Sequence, residues 1–186
     1  MTTVEVRRIR AEEWDAARTL RLEALNDPAA PLAFLDTAAE AALRPAEHWR
    51  TRTAAGARSD RTAQFVAVAD GGFVGTATVK LQDAGAADYF GRTRAAQRAV
   101  IVAVYVSPVV RGSGAVDGLL EACVEWAARL GVTEVTLDVH GENPRAEAAY
   151  VRCGFERTGE FADGPHGREF ELRRAPGEVP AVGGPQ

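Results

Sequence analysis

Residues 107–120 read "SPVVRGSGAVDGLL". The stretch before it, "RAVIVAVYV" (98–106), is apolar on both faces, the pattern of a strand buried inside a sheet. After it, Val116, Leu119, Leu120, Cys123, Ala127 and Leu130 recur at helical spacing as one apolar stripe, which Gly131 ends. Between strand and helix lie Arg111 and two glycines, Gly112 and Gly114. The first amides of a helix have no intrahelical acceptor, the helix dipole adds positive potential there, and glycine lets a ligand approach the backbone. Such a junction is an anion site, and a phosphate is its usual guest. It is not a Walker A loop, since no Lys-Ser or Lys-Thr pair follows the second glycine. Nor is it the dinucleotide fingerprint, which needs three glycines at another spacing.

Working outward, "EVTLDV" (134–139) reads as the next strand. Asn143-Pro144 opens a helix through Arg152, with asparagine as N-cap and proline at the first helical position, and Gly154 stops it. "FERTGE" (155–160) and "REFELR" (168–173) form a final pair of strands. Upstream, "VEVRRI" (4–9) is a first strand, and residues 11–26 a helix with Trp14, Ala17, Leu22 and Leu25 buried. A proline-rich loop (26–37) precedes a helix over 45–57 with Pro45 in its first turn. Residues 64–81 form a hairpin around Asp70-Gly71-Gly72. The stretch "QDAGAADYFGRTRAAQ" (82–97) has no period and reads as a long functional loop. The order β α α β β β α β α β β predicts an α/β fold with a mixed sheet, mostly antiparallel in its first half, with a βαβ unit in its second. Residues 1–174 form one domain, and the Pro/Gly-rich residues 175–186 a disordered tail.

Composition narrows the function. The 186 residues carry a net charge of -4, which argues against a nucleic-acid partner. No stretch approaches the roughly 20 apolar residues of a membrane span, and the N-terminus lacks a signal peptide's apolar run. A soluble cytoplasmic protein is the expectation, with a homodimer left open. Cys123 and Cys153 have no metal-type spacing and read as core thiols, and no metal site is expected. Trp14, Trp49 and Trp126 read as packing residues.

"VYVSPVVRGSGAVDGLL" (104–120) resembles the acyl-CoA loop of the GNAT superfamily of N-acetyltransferases, whose signature is Arg/Gln-x-x-Gly-x-Gly/Ala. Arg111 and Gly114 match it. "LDVHGENPRAEAAYVRCGF" (137–155) resembles the second family signature through Asn143, Ala146, Tyr150, Gly154 and Phe155. The likeness covers residues 4–173 and implies a sheet that splays between the strands of residues 98–106 and 134–139. It implies acetyl-CoA as cosubstrate and an amine, on a small molecule or a protein, as acceptor. The pyrophosphate falls to Arg111, Gly112, Ser113, Gly114, Ala115 and Val116. The pantetheine arm falls to the backbone of Val104, Tyr105 and Val106 and to Asn143. One of those strand amides polarises the thioester carbonyl as an oxyanion hole does. Tyr150 matches the general acid that protonates the leaving thiolate, and Asp138 the general base, acting through a water. His140, on the same strand face, is a second base candidate. Phe34, Tyr89 and Phe90 wall the acceptor pocket. One position departs: Val116 stands where the signature has glycine or alanine, and its branched side chain crowds a close approach. Asp117 adds an acidic group beside the same site. Two rivals follow: a non-catalytic acyl-CoA-binding or interaction domain on the same fold, and an unrelated phosphate-binding α/β domain.

Overall fold

A computed structural model describes residues 3–177. Strands β1 (Glu5–Arg8), β2 (Thr62–Ala69), β3 (Gly72–Gln82), β4 (Arg98–Val106), β5 (Val135–His140), β6 (Glu156–Gly164) and β7 (Gly167–Arg174) form one sheet in the order β1-β2-β3-β4-β5-β7-β6. Every neighbouring pair is antiparallel except β4 with β5. The helices are α1 (Trp14–Asn26), α2 (Ala38–Leu43), α3 (Ala46–Arg58), α4 (Ala115–Arg129) and α5 (Pro144–Arg152). The mixed α/β class read from the sequence is the class observed. Residues 178–186 of the expected tail lie outside the described residues.

Two apolar clusters flank the sheet. The larger joins Phe65, Ala77, Val79 and Ile101 to Leu119, Leu120 and Cys123 of α4 and to Tyr150 and Phe155. The smaller joins Leu20, Ala24, Phe34, Trp49 and Tyr105 beneath α1 and α3. Both cysteines are buried and free. Asp70 and Gly71 take left-handed backbone at the tip of the β2–β3 hairpin, as a tight Asp-Gly turn demands.

Several expectations need correction. A short helix, α2, falls where none was assigned. It begins with a capping box in which the Glu40 amide donates to Thr37 Oγ1 at 3.2 Å and the Thr37 amide to Glu40 at 2.8 Å, a signal written in "TAAE". Pro45 caps α3 in extended backbone rather than entering its first turn. In α1 the buried residues are Leu20, Ala24 and Leu25; Leu22 and Trp14 only pack at the edge of the smaller cluster. Leu130, placed on the apolar stripe, caps α4 and is 41% exposed.

The feature that positions the site is the β4–β5 seam. The two strands pair only at Ala99–Val135, Val100–Thr136 and Ile101–Leu137, while β5 stays paired with β7 along its whole length. Beyond Ile101, the β4 edge therefore faces a gap. On its other side β4 carries a bulge, where Thr76 pairs with Tyr105 but Thr78 with Val102. Ala103 within it has φ +56°. A bulge bends and twists its strand, and this one lies where β4 parts from β5.

Candidate active site

Two cavities open on either side of the gap. The first, of about 510 Å³, lies between the α1 end, β4 and the start of α4 and α5. The glycine loop forms one rim. Gly112 and Gly114 both have φ +84°, a left-handed conformation that costs an L side chain roughly 1–2 kcal/mol. Gly114 is the N-cap of α4, and the first bond of the helix runs from the Gly118 amide to the Gly114 carbonyl at 3.1 Å. The amides of residues 114–117 thus have no intrahelical acceptor, and those residues all line the cavity.

The other expected residues fall into place unevenly. Val104, Val106 and Asn143 line the cavity. Asn143 also caps α5, its Oδ1 accepting from the Ala146 amide at 3.2 Å, so both of its expected roles share one side chain. Ser113 is the exception. Its amide donates to the Val110 carbonyl at 3.2 Å, and it is not among the residues that line the cavity. The left-handed glycines on either side turn it to solvent. Arg111 lines the cavity but is engaged, with Nη2 on Asp27 at 2.5 Å and Nε on the Val106 carbonyl at 3.1 Å. Burial opposes the charge of Asp27, yet the Ala29 amide and Arg111 hold its carboxyl below the usual range. Asp117 turns toward Arg152 (2.9 Å) and the Cys153 thiol (3.2 Å), so its charge is answered by a cation. Val116 packs partly against the main core. Arg145, at the start of α5, lines the same cavity and forms no hydrogen bond or ion pair among the described residues. The sequence carried no sign of it beyond its neighbour Asn143.

A second cavity, of about 640 Å³, lies on the far side of β4, with the expected Phe34, Tyr89 and Phe90 in its walls. A narrow void of about 70 Å³ lies at the gap and shares walls with both: Val104, Asn143 and Tyr150 with the first, Asp138 and Glu169 with the second.

Tyr150 is buried at 8% exposure, and burial, then the charge of Glu169, holds its phenol protonated well above the ordinary value. Asp138 accepts from Arg92 Nη2 with both oxygens, at 2.9 and 2.8 Å. Burial outweighs that ion pair and leaves its carboxyl above the ordinary range. His140 is committed elsewhere: its Nδ1 accepts from the Glu142 amide at 3.1 Å, which leaves the proton on Nε2 for the His166 carbonyl at 2.9 Å. Glu169, in "REFELR" on β7, pairs across the strand with His140. It has no hydrogen bond or ion pair among the described residues, and burial raises its carboxyl, against the charge of His140 and then with that of Asp138, His166 opposing. Nothing in its local sequence pointed to it, because only the β5–β7 register brings it to the gap.

The loop of residues 83–97 is fastened to the sheet. Asp88 accepts from the Phe90 and Arg92 amides at 2.9 and 2.8 Å and from Arg92 Nε at 2.7 Å. Arg98, 1% exposed, donates to Glu171 at 2.7 Å, and Arg94 reaches Glu171 and Glu160 at 3.0 and 2.5 Å. This loop forms one wall of the second cavity and fixes Asp138 through Arg92.

A backbone anion cradle at a helix start, a splayed parallel pair and a buried tyrosine at the gap form one constellation. A family model described as "Acetyltransferase (GNAT) family" matches residues 25–155. The chain belongs to the GNAT acetyltransferase family. Among family relatives, "Aminoglycoside N(6')-acetyltransferase type 1" of Stenotrophomonas maltophilia is 37% identical over 90 residues, 48% of this chain and 56% of that protein. The match thus spans little more than half the relative's length. The fold is shared with the GNAT-family acetyltransferase of Streptococcus pneumoniae (TM-score 0.71, 17% identity, covering 93% of this chain and 99% of that one). It is shared also with PaiA N-acetyltransferase from Thermoplasma acidophilum, solved with coenzyme A (TM-score 0.70, 18% identity, 93% and 99%). Among the described residues no helix is long and apolar enough to cross a membrane, and no group of His, Cys, Asp and Glu is arranged to hold a metal ion.

Proposed function

We propose that the protein transfers an acetyl group from acetyl-CoA to a primary amine, and that the two cavities meeting at the β4–β5 gap are its donor and acceptor sides. The observation that carries this is the convergence of Val104, Tyr150, Asp138 and Glu169 on a narrow void that shares walls with both cavities. The amides of residues 114–117 and the side chains of Arg145 and Arg111 hold the pyrophosphate; Gly112 and Gly114 let it reach the backbone. The free β4 edge from Val104 to Val106, with Asn143, receives the pantetheine arm. A β4 amide there stabilises the thioester oxygen as it becomes anionic.

An alkylammonium cannot attack until it loses a proton. Asp138 and Glu169 form the carboxylate pair that takes it, Asp138 held in place by Arg92 and Glu169 bound by no arginine or lysine. The nitrogen–carbon bond then forms, the carbon–sulfur bond breaks, and the thiolate takes the Tyr150 proton; Tyr150 is recharged from the second proton lost by the nitrogen. One proton is released overall. A phenol held protonated by burial suits an acid working beside a thiolate in a site with little water.

The acceptor is an amine, and the curated relative's name supplies an aminoglycoside as one to try. The test is a panel of amines incubated with the protein and acetyl-CoA, read by free thiol. Amine-dependent thiol release supports transfer. Tight acetyl-CoA binding with no release from any amine would instead favour a non-catalytic acyl-CoA-binding domain.

A further inference from the structure

We infer that the acceptor is an amine that also carries an anion, a carboxylate or a phosphoryl group. The inference rests on the reading of the 640 Å³ cavity as the acceptor side, and comes from its charges. Most of its acids are already matched. Asp36 accepts from Arg21 and Arg44. Asp83 accepts from Arg61 at 2.6 Å and Gln97 at 3.0 Å. Asp88 and Asp138 share Arg92. Two cations are left over. Arg52 on α3 and Lys80 on β3 both line the cavity, and neither forms a hydrogen bond or ion pair among the described residues. Lys80 is also the chain's single lysine.

The two leftover cations share the wall of one cavity, and burial, then the charge of Arg52, holds the Lys80 ammonium below its ordinary value. Asp36 is the one acid whose field reaches Arg52, and both of its oxygens are taken. Two like charges on one wall are unfavourable until an anion sits between them. By the gap, the leftover group is an acid, Glu169. The cavity therefore holds, by the gap, a carboxylate with no arginine or lysine partner beside His166 and, elsewhere in its wall, two cations with no carboxylate partner. Tyr89 and Phe90, edge to face at 5.3 Å, lie in its wall. A ligand with an ammonium at one end and an anion at the other complements this arrangement. A polycation with no anion would set ammonium groups against Arg52 and Lys80.

The experiment uses the full chain with acetyl-CoA. The probes are the ω-amino acids from glycine to 6-aminohexanoic acid, each against its own carboxamide, with kanamycin as the anion-free polycation. Rates are read as free thiol, and binding by calorimetry with coenzyme A present. At least one acid should exceed its amide in kcat/KM by about tenfold or more, the size of a charge-assisted hydrogen bond. That ratio should fall toward one in Arg52→Gln, Lys80→Gln and the double variant. Thiol release from amides or kanamycin as fast as from the acids, or a ratio that survives in the double variant, overturns the anion site and leaves acetyl transfer standing. If no amine releases thiol although acetyl-CoA binds, transfer fails, and calorimetry still decides the anion site. Binding of an acid that the double variant loses supports it. Equal binding of acid and amide, or no acid bound, overturns it.

Discussion

The two sides of the β4–β5 gap are built from different materials. The proposed donor side is made largely of backbone: left-handed glycines at 112 and 114, helix-start amides and an unpaired strand edge. The proposed acceptor side is held by side chains: three arginines of one loop and strand (Arg92, Arg94, Arg98) bind four carboxylates (Asp88, Asp138, Glu160, Glu171), of which Asp88 and Asp138 line the second cavity. Backbone that binds a fixed ligand leaves a local mark, because glycine positions and helix caps are written in adjacent residues. Ion pairs linking residues 46 to 77 positions apart leave none. One side is shaped for a constant donor, and the other can be rewritten for a new acceptor by changing charges.

The largest expected effect sits where the two sides meet. Tyr150→Phe keeps the ring and its packing but removes the proton, and kcat should fall by roughly 10²–10⁴-fold with acetyl-CoA affinity nearly unchanged. Steady-state thiol release and calorimetry read the two quantities separately. A folded variant with full kcat would return Tyr150 to a packing role.

Next is the acceptor-side network. Arg98→Met leaves Glu171, 3% exposed, without its closest cation but still bound to Arg94 at 3.0 Å, so the loss should exceed that of a surface pair yet stay below the roughly 3–5 kcal/mol of a buried charge left wholly unpaired. Arg129→Met removes an exposed pair with Glu125 and should change stability by less than about 1 kcal/mol. Denaturant unfolding compares them. Acid sharpens the same point. Burial works against the charges of Asp88 and Glu171, but the arginine bonds prevail and both carboxyls sit below their ordinary values. Groups with depressed values stabilise the fold above the unfolded-state value of about 4. That stability is lost as pH falls below it toward the folded values. Melting temperature should drop through this window, and less steeply in Arg98→Met.

A smaller effect is expected from the carboxylate pair. Asp138 and Glu169 are both raised and must be ionised to take a proton, so kcat/KM should fall on the acid side at a pH above the ordinary carboxylate value of about 4. Glu169→Gln should lower kcat by about 10²-fold and shift that limb. An unchanged profile would leave the proton to solvent.

The smallest effect belongs to Val116→Gly. The crowding read from the sequence is relieved in part because the side chain packs against the core. Coenzyme A affinity should change by less than about fivefold, while glycine near the helix start costs up to about 1 kcal/mol of stability. A large gain in affinity would restore the crowding reading.

This contrast also explains what could be read in advance. The order of elements and the glycine rim follow from hydrophobic period, caps and turn residues, all of them local, whereas the splay and Tyr150 came only with the resemblance to the family. Ser113 was misplaced because its direction depends on the glycine dihedrals on either side. Glu169, Arg52 and Lys80 were invisible because their meaning lies in which partners are already taken. That is a property of the whole charge arrangement. The long loop was legible as a loop, but its fastening by Arg92, Arg94 and Arg98 was not.

The most direct test of the donor side is calorimetric titration of acetyl-CoA into the wild-type protein and Gly114→Trp. In the free protein a Cβ at Gly114 meets only Asp117 Oδ2, at 4.0 Å, so the variant should fold with only the left-handed backbone penalty, which circular dichroism can confirm. Its indole would stand at the rim of the cavity beside the helix-start amides. The account predicts that the wild type binds and the folded variant does not; equal affinity in both would place the donor site elsewhere and contradict it.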